Sequence, residues 1–197
     1  MSLIVIEGLD GAGKSTQIKL LQDFLMSVKT EYRYIHFPRT DAPYFGELIT
    51  RFLRGEFGSL DQVDPYLVAM LYAGDRRDAA QMIKDWLNSG VFVLLDRYAY
   101  SNIAYQCAKI KDPAAREQLK SWILKLEFEH FSIPVPALNI FLDVPLSFTE
   151  NKLKSGRSGE DRSYLNGSND IHESNKCFKE RSGMSTLRLQ KQIPHSE

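Results

Sequence analysis

Cysteine is scarce in this chain. Cys107 and Cys177 are the only two, with no CxxC pair and no histidine cluster beside either. They read as idle reduced thiols, which argues against a disulfide-stapled secreted domain and against a zinc site. A dominant charge is lacking as well, because Lys+Arg and Asp+Glu both number 25. Without a net basic field, nothing steers the protein toward nucleic acid or an anionic membrane surface. Long hydrophobic runs are also missing. The N-terminal run Leu3-Ile4-Val5-Ile6 stops at Glu7, too short for a signal peptide and far too short for a membrane span. The expectation is a cytoplasmic protein with no membrane or nucleic-acid partner.

What is present is an ordinary globular balance, with 43% hydrophobic and 25% charged residues in a chain of 197. That length suits one domain with a sizeable core, here taken as residues 1–197. Short, almost wholly apolar runs occur at 3–6, 91–95 and within 138–144. Such runs suit strands covered on both faces, as in a parallel sheet. Segment 31–37 is aromatic and more alternating, which places it nearer a sheet edge. Helical patterns lie between. Ile18, Leu21, Leu25 and Val28 share a face of a helix starting near Ser15. Residues 65–88 read as a long helix with Pro65 in its first turn and Gly90 just past its end, and 112–129 as another opened by Asp112-Pro113. This alternation predicts a three-layer α/β domain with right-handed crossovers.

Residues 8–15 read Gly-Leu-Asp-Gly-Ala-Gly-Lys-Ser, directly after a strand and directly before a helix. This is the GxxxxGK[ST] pattern in the context its mechanism requires. Glycines let successive backbone N–H groups turn toward phosphate oxygens, and the helix adds its positive end. The reading assigns ATP binding to Gly8, Leu9, Asp10, Gly11, Ala12, Gly13, Lys14, Ser15 and Thr16. Lys14 would reach the β- and γ-phosphates, and the Ser15 hydroxyl would take one position on Mg²⁺. No NKxD-type element of a GTPase follows.

The strand 91–95 ends instead in Asp96-Arg97-Tyr98. Asp96 is placed to hold Mg²⁺ through water, and Arg97 to bridge the phosphates that exchange the phosphoryl group; an internal Asp96–Arg97 pair is the alternative. Segment 31–37 runs into Pro38-Arg39, a cation where a second substrate would present a phosphate. Arg76 follows Tyr72 by four residues and so shares its helix face, offering an aromatic plane beside a cation. The sign of Arg39 matters. A kinase acting on a sugar hydroxyl benefits from a carboxylate base, whereas a phosphate acceptor is already anionic near pH 7, its second pKa being about 6.

Taken in order, GLDGAGKST, FPR, LYAGDRR and DRYAYSNIAYQ resemble the bacterial thymidylate kinases over about residues 1–173. The resemblance implies transfer of the γ-phosphoryl group of MgATP to dTMP. The fold it implies is a P-loop kinase, with a parallel sheet in the order 2-3-1-4 and usually a fifth strand. It implies that Tyr72 stacks on thymine, Arg76 reads the base, Arg39 holds the acceptor phosphate and Asn102 lies near the base's polar edge. Tyr105 would crowd the ribose 2′ position, and Asp10 would sit near the sugar 3′-hydroxyl and the metal, making Asp10, Ser15 and Asp96 the metal-side residues. A homodimer is implied as well.

Residues 152–162 combine glycine, serine and four cations, which suits a mobile lid, drawn at about 152–170. Some thymidylate kinases carry a catalytic arginine in the P-loop and others in the lid. Position 11 is Gly here, so the resemblance assigns the role to Arg157 or Arg162. Beyond residue 163 the sequence is poorer in apolar residues, and no run suited to a fifth strand follows. The expectation is that this strand is missing. A deoxynucleoside kinase and a nucleotide-binding protein without catalysis remain as alternatives.

Overall fold

The computed structural model describes residues 2–145 and 147–149. Among these residues four short strands form one parallel sheet in the order β2-β3-β1-β4: β1 Leu3–Glu7, β2 Tyr32–His36, β3 Phe92–Asp96 and β4 Leu138–Phe141. The segment bearing on a fifth strand lies outside them. Between them run α1 Lys14–Ser27, α2 Phe45–Leu53, α3 Pro65–Asn88, α4 Ala99–Cys107 and α5 Pro113–Leu124. The aromatic strand β2 lies at an edge, as its alternation predicted.

The apolar runs of β1 and β3 are explained by burial on both faces. Leu3, Val5, Val93 and Leu95 turn toward Ala79, Ala80 and Ile83 of α3 and toward Tyr98. Ile6 and Leu94 turn the other way, onto Ile18 of α1. Val93, Leu94 and Leu95 are fully buried, and each such side chain removed from water contributes about 1.5–3 kcal/mol. Helix starts follow the sequence signals. The Asp64 carboxylate accepts from Tyr66 N and Leu67 N ahead of Pro65, and that of Asp112 accepts from Ala115 N ahead of Pro113.

Two features differ from the sequence reading. The helix foreseen over 112–129 does not keep an α-helical repeat. It stops at Leu124 and continues as a π-helical segment, Lys125–His130, which buries both Leu126 and Glu127. The helices α2 and α4, each of nine residues, were not foreseen, because helices so short draw their stability from tertiary packing rather than from pattern. Packing is close where α2 meets α3. A Cβ added at Gly74 would come within 2.2 Å of the Phe45 ring.

The small core formed by Ile49, Phe52, Leu53, Leu60, Val68 and Ala108 lies beside an unusual cation. Lys109 Nζ is buried without a hydrogen-bond partner among the described residues and sits 4.8 Å from the Phe52 ring centroid. Burial lowers its pKa from 10.5 to about 8, against the opposing pull of Asp61 and Asp64. Between those two values the unfolded chain binds more protons than the folded one, so stability rises with pH across that window. Lys109→Met, which keeps the contact with Phe52 and removes the stranded charge, is expected to raise Tm at pH 7 by a few degrees, on a scale of about 2–4 °C per kcal/mol. It should also abolish the gain in stability between pH 8 and 10.5. Thermal melts of both proteins at pH 7, 8 and 10 check this; an unchanged pH profile would show that Lys109 is not the group responsible.

Candidate active site

The carboxyl ends of the strands define the site. Ile6 of β1 and His36 of β2 are both in register with Asp96 of β3, so the loops after these strands meet in one crevice. β1 sits between β3 and β4, where the chain's connections diverge, and ligands in open α/β sheets bind at such a point.

The loop from Gly8 to Gly13 leaves β1 and runs straight into α1. Gly11 and Gly13 have φ of +85° and +91°, a region that side chains disfavour. Position 11 is crowded besides, since a Cβ there would meet the Thr149 carbonyl oxygen at 3.0 Å. The Lys14 ammonium lies back along the loop, donating to Gly8 O at 3.2 Å and Leu9 O at 3.3 Å. α1 has no side-chain cap and no acidic residue in its first turn. Its leading N–H groups and the adjacent ammonium therefore form a concentrated positive field, and Ser15 and Thr16 are exposed on that turn.

Asp96 and Arg97 take separate partners. Asp96 Oδ2 lies 3.2 Å from His36 Nδ1. Burial alone would raise the Asp96 pKa, but His36, Lys14 and Arg97 outweigh it and hold the carboxyl below its ordinary range. Its Oδ1 is buried and has no hydrogen-bond partner among the described residues. Arg97, at φ +67°, donates to Asp10 Oδ1 at 2.8 Å and to Ser101 Oγ at 3.2 Å, and its guanidinium lies 5.4 Å from the Tyr105 ring centroid. The Tyr105 hydroxyl donates to the other Asp10 oxygen at 2.9 Å. The Asp10 carboxylate is thus engaged on both oxygens, and the left-over oxygen belongs to Asp96. The spare oxygen of Asp96 at the end of β3 and the exposed Ser15 hydroxyl on the first turn of α1 are oxygen donors of the kind that a hard cation such as Mg²⁺ takes, one or two from protein and the rest from phosphate and water.

The residues that the resemblance assigned to the acceptor side are held by acids that the sequence reading did not single out. Arg39 Nε donates to Asp75 Oδ1 at 2.8 Å, its NH2 group to Asp75 O at 2.9 Å, and its backbone N to Asp75 Oδ2 at 2.9 Å. Burial raises the Asp75 pKa despite these bonds. Arg76, only 2% exposed, is gripped by Glu127 of the π-helical segment through Nε and NH2. Burial works against its charge, but Glu127 and Asp75 more than compensate and raise its pKa. Asn102 donates to Glu127 Oε1 and to Ala69 O, both at 3.0 Å. Tyr72 and Tyr105 each pack against the core around Ile49 and Phe52. Glu7, at the last position of β1, accepts from Tyr98 N at 3.0 Å and Ser101 N at 3.3 Å, and also from the Ser101 hydroxyl. Burial pushes its carboxyl up.

The contacts are continuous. Asp10 in the glycine loop binds Arg97 and Tyr105, α4 carries Tyr105 and Asn102 together, Glu127 joins Asn102 to Arg76, and the neighbouring Asp75 binds Arg39. Arg157, Arg162 and the lid lie outside the described residues. Of the acids not foreseen, Glu7 carried a readable signal, a charge closing a strand buried on both faces. Asp75 carried a weaker one, an acid adjacent to a site arginine. Glu127 carried none.

The family model for thymidylate kinase matches residues 6–191. The chain belongs to the thymidylate kinase family. It is 31% identical to the thymidylate kinase of Mycobacterium tuberculosis over 159 residues, covering 81% of this chain and 73% of that one. Against the Schizosaccharomyces pombe thymidylate kinase it is 38% identical over 161 residues, with coverages of 81% and 68%. The solved thymidylate kinase of Candida albicans superposes with a TM-score of 0.68 at 30% identity, covering 95% of this chain and 77% of that one. Similarity therefore reaches yeast thymidylate kinases as well as a bacterial one.

Proposed function

We infer that this chain transfers the γ-phosphoryl group of ATP to dTMP, giving ADP and dTDP, a reading that family membership supports. The observation carrying it at the site is Arg97, which reaches from the end of β3 to Asp10 of the glycine loop and so stands between the two phosphate-binding halves. Lys14 and the loop amides hold the donor. Arg39, fixed by Asp75, offers its charge to the acceptor phosphate, and Tyr72, Arg76 and Asn102 form the base side. Tyr105, anchored on Asp10, borders the sugar. An anionic oxygen of dTMP attacks the γ-phosphorus in line, the bond to the β–γ bridging oxygen breaks, and ADP departs with that electron pair. No general base is required, because the attacking oxygen carries no proton near pH 7. Ser15 and the spare oxygen of Asp96 are the residues that would hold Mg²⁺, which would supply positive charge to the ATP phosphates when bound. Arg157 and Arg162 are the candidates for a further cation at the transferring group.

The reading also includes work in the cytoplasm as a homodimer. No described helix is long and apolar enough to cross a membrane. Leu67, Met70 and Met82, exposed on α3, are apolar side chains that a second copy would cover. The test of function is ADP release coupled to a spectrophotometric readout, with MgATP and either dTMP or thymidine. Turnover should depend on dTMP and be negligible with thymidine. Phosphorylation of thymidine alone would overturn the assignment in favour of a nucleoside kinase, and absence of dTMP-dependent release in favour of binding without catalysis.

A further inference from the structure

We propose that Glu127 is a positioning residue that decides which pyrimidine the pocket accepts, by fixing the polarity of the Asn102 amide and the plane of the Arg76 guanidinium. The inference rests on the function proposed above. Glu127 is fully buried, on the π-helical segment that follows α5, and its carboxylate accepts from Arg76 and Asn102, the base-side residues of the proposed function. Its Oε1 accepts from Arg76 NH2 at 2.7 Å and from Asn102 Nδ2 at 3.0 Å, while Oε2 accepts from Arg76 Nε.

A side-chain amide can present either its oxygen or its nitrogen, and the partners decide which. Asn102 Nδ2 lies 3.0 Å from both the Glu127 carboxylate and the Ala69 carbonyl, groups that only accept. The nitrogen must therefore face them, and the oxygen is committed to the other side. That oxygen is buried and has no hydrogen-bond partner among the described residues. A ligand N–H would satisfy a buried acceptor left over in this way. Thymine carries an N–H between two carbonyls, whereas cytosine presents a bare ring nitrogen beside an amino group. If that oxygen meets the base edge, as the proposal requires, it favours the first and leaves two acceptors opposed in the second. Discrimination of this kind is large because the mismatched site keeps an unpaired buried group.

Glutamine is nearly the same shape as glutamate but turns one acceptor into a donor. With its nitrogen at the Oε2 position it would oppose Arg76 Nε. At the Oε1 position it would oppose Asn102 Nδ2 and favour reversal of that amide. Either arrangement alters the base-facing polarity without touching the glycine loop.

Wild type and Glu127→Gln should be compared for kcat and KM with dTMP and with dCMP at saturating MgATP, for KM of ATP, and for dTMP binding by calorimetry. The expected result is a dTMP KM raised about tenfold, a preference for dTMP over dCMP reduced at least tenfold, and an ATP KM changed less than twofold. Should Glu127→Gln fail to fold, Glu127→Asp, which keeps both acceptors and so the Asn102 polarity but draws back from Arg76, is expected to raise the dTMP KM while keeping the preference for dTMP over dCMP. A variant with unaltered dTMP KM and unaltered preference overturns the inference, as does a loss confined to kcat. A wild type that neither binds nor turns over dTMP overturns the functional reading itself, an outcome visible before any variant is compared.

Discussion

Arg97→Ala is expected to lower kcat by about 10³-fold or more while leaving the protein folded. The guanidinium reaches Asp10 of the glycine loop at 2.8 Å and Ser101 at 3.2 Å, and in the proposed reaction it lies where donor and acceptor phosphates approach each other. Two polyanions repel, and a fixed cation between them relieves that repulsion most as charge spreads over the transferring group. A 10³-fold loss corresponds to about 4 kcal/mol of barrier. Stability should change little, because Asp10 keeps the Tyr105 hydroxyl as a partner and its side chain is 31% exposed. Lysine is a poor replacement, as one ammonium cannot reproduce the two-armed contact with Asp10 and Ser101. Steady-state kinetics with a parallel thermal melt check the claim. A folded Arg97→Ala protein with kcat within tenfold of wild type would remove Arg97 from the chemistry.

The second large effect is on stability. Arg76→Ala is expected to lower the unfolding free energy by about 3–5 kcal/mol. Arg76 and Glu127 side chains are 2% and 0% exposed, so truncating the arginine strands a carboxylate in the interior with Asn102 as its remaining side-chain donor. Replacing both partners together, as Arg76→Met with Glu127→Leu, should recover much of the loss, since an apolar pair of similar volume avoids the desolvation cost altogether. Urea unfolding of the wild type, Arg76→Ala and the double variant measures these terms. A loss under 1 kcal/mol in Arg76→Ala would mean that the pair is not holding a buried charge. The double variant is expected to remain stable yet bind dTMP poorly, which separates the folding role of this pair from its role at the base.

Much of the fold was readable because its determinants are local. The apolar runs of β1 and β3 announce strands covered on both faces, and the caps Asp64-Pro65 and Asp112-Pro113 mark helix starts that the structure reproduces. α2 was not readable for the opposite reason. It is held by Ile49, Phe52 and Leu53 buried against side chains far along the chain, and by the close approach of Phe45 to Gly74. The π-helical segment was hidden as well, since a pattern with period near 3.6 does not disclose one inserted residue.

By itself the sequence determined the family, the parallel α/β sheet and the phosphate cradle, because the strand, glycine loop and helix that make the cradle are contiguous from Leu3 to Ser27. Only the tertiary structure decided what holds the arginines. Glu127 lies 51 residues from Arg76 and 25 from Asn102, and Asp75 lies 36 from Arg39. A buried guanidinium requires a counter-charge, but burial sets that requirement without naming the partner. Which carboxylate meets it is settled by the crossing of α3, α4 and the segment after α5, a geometry that no local pattern encodes.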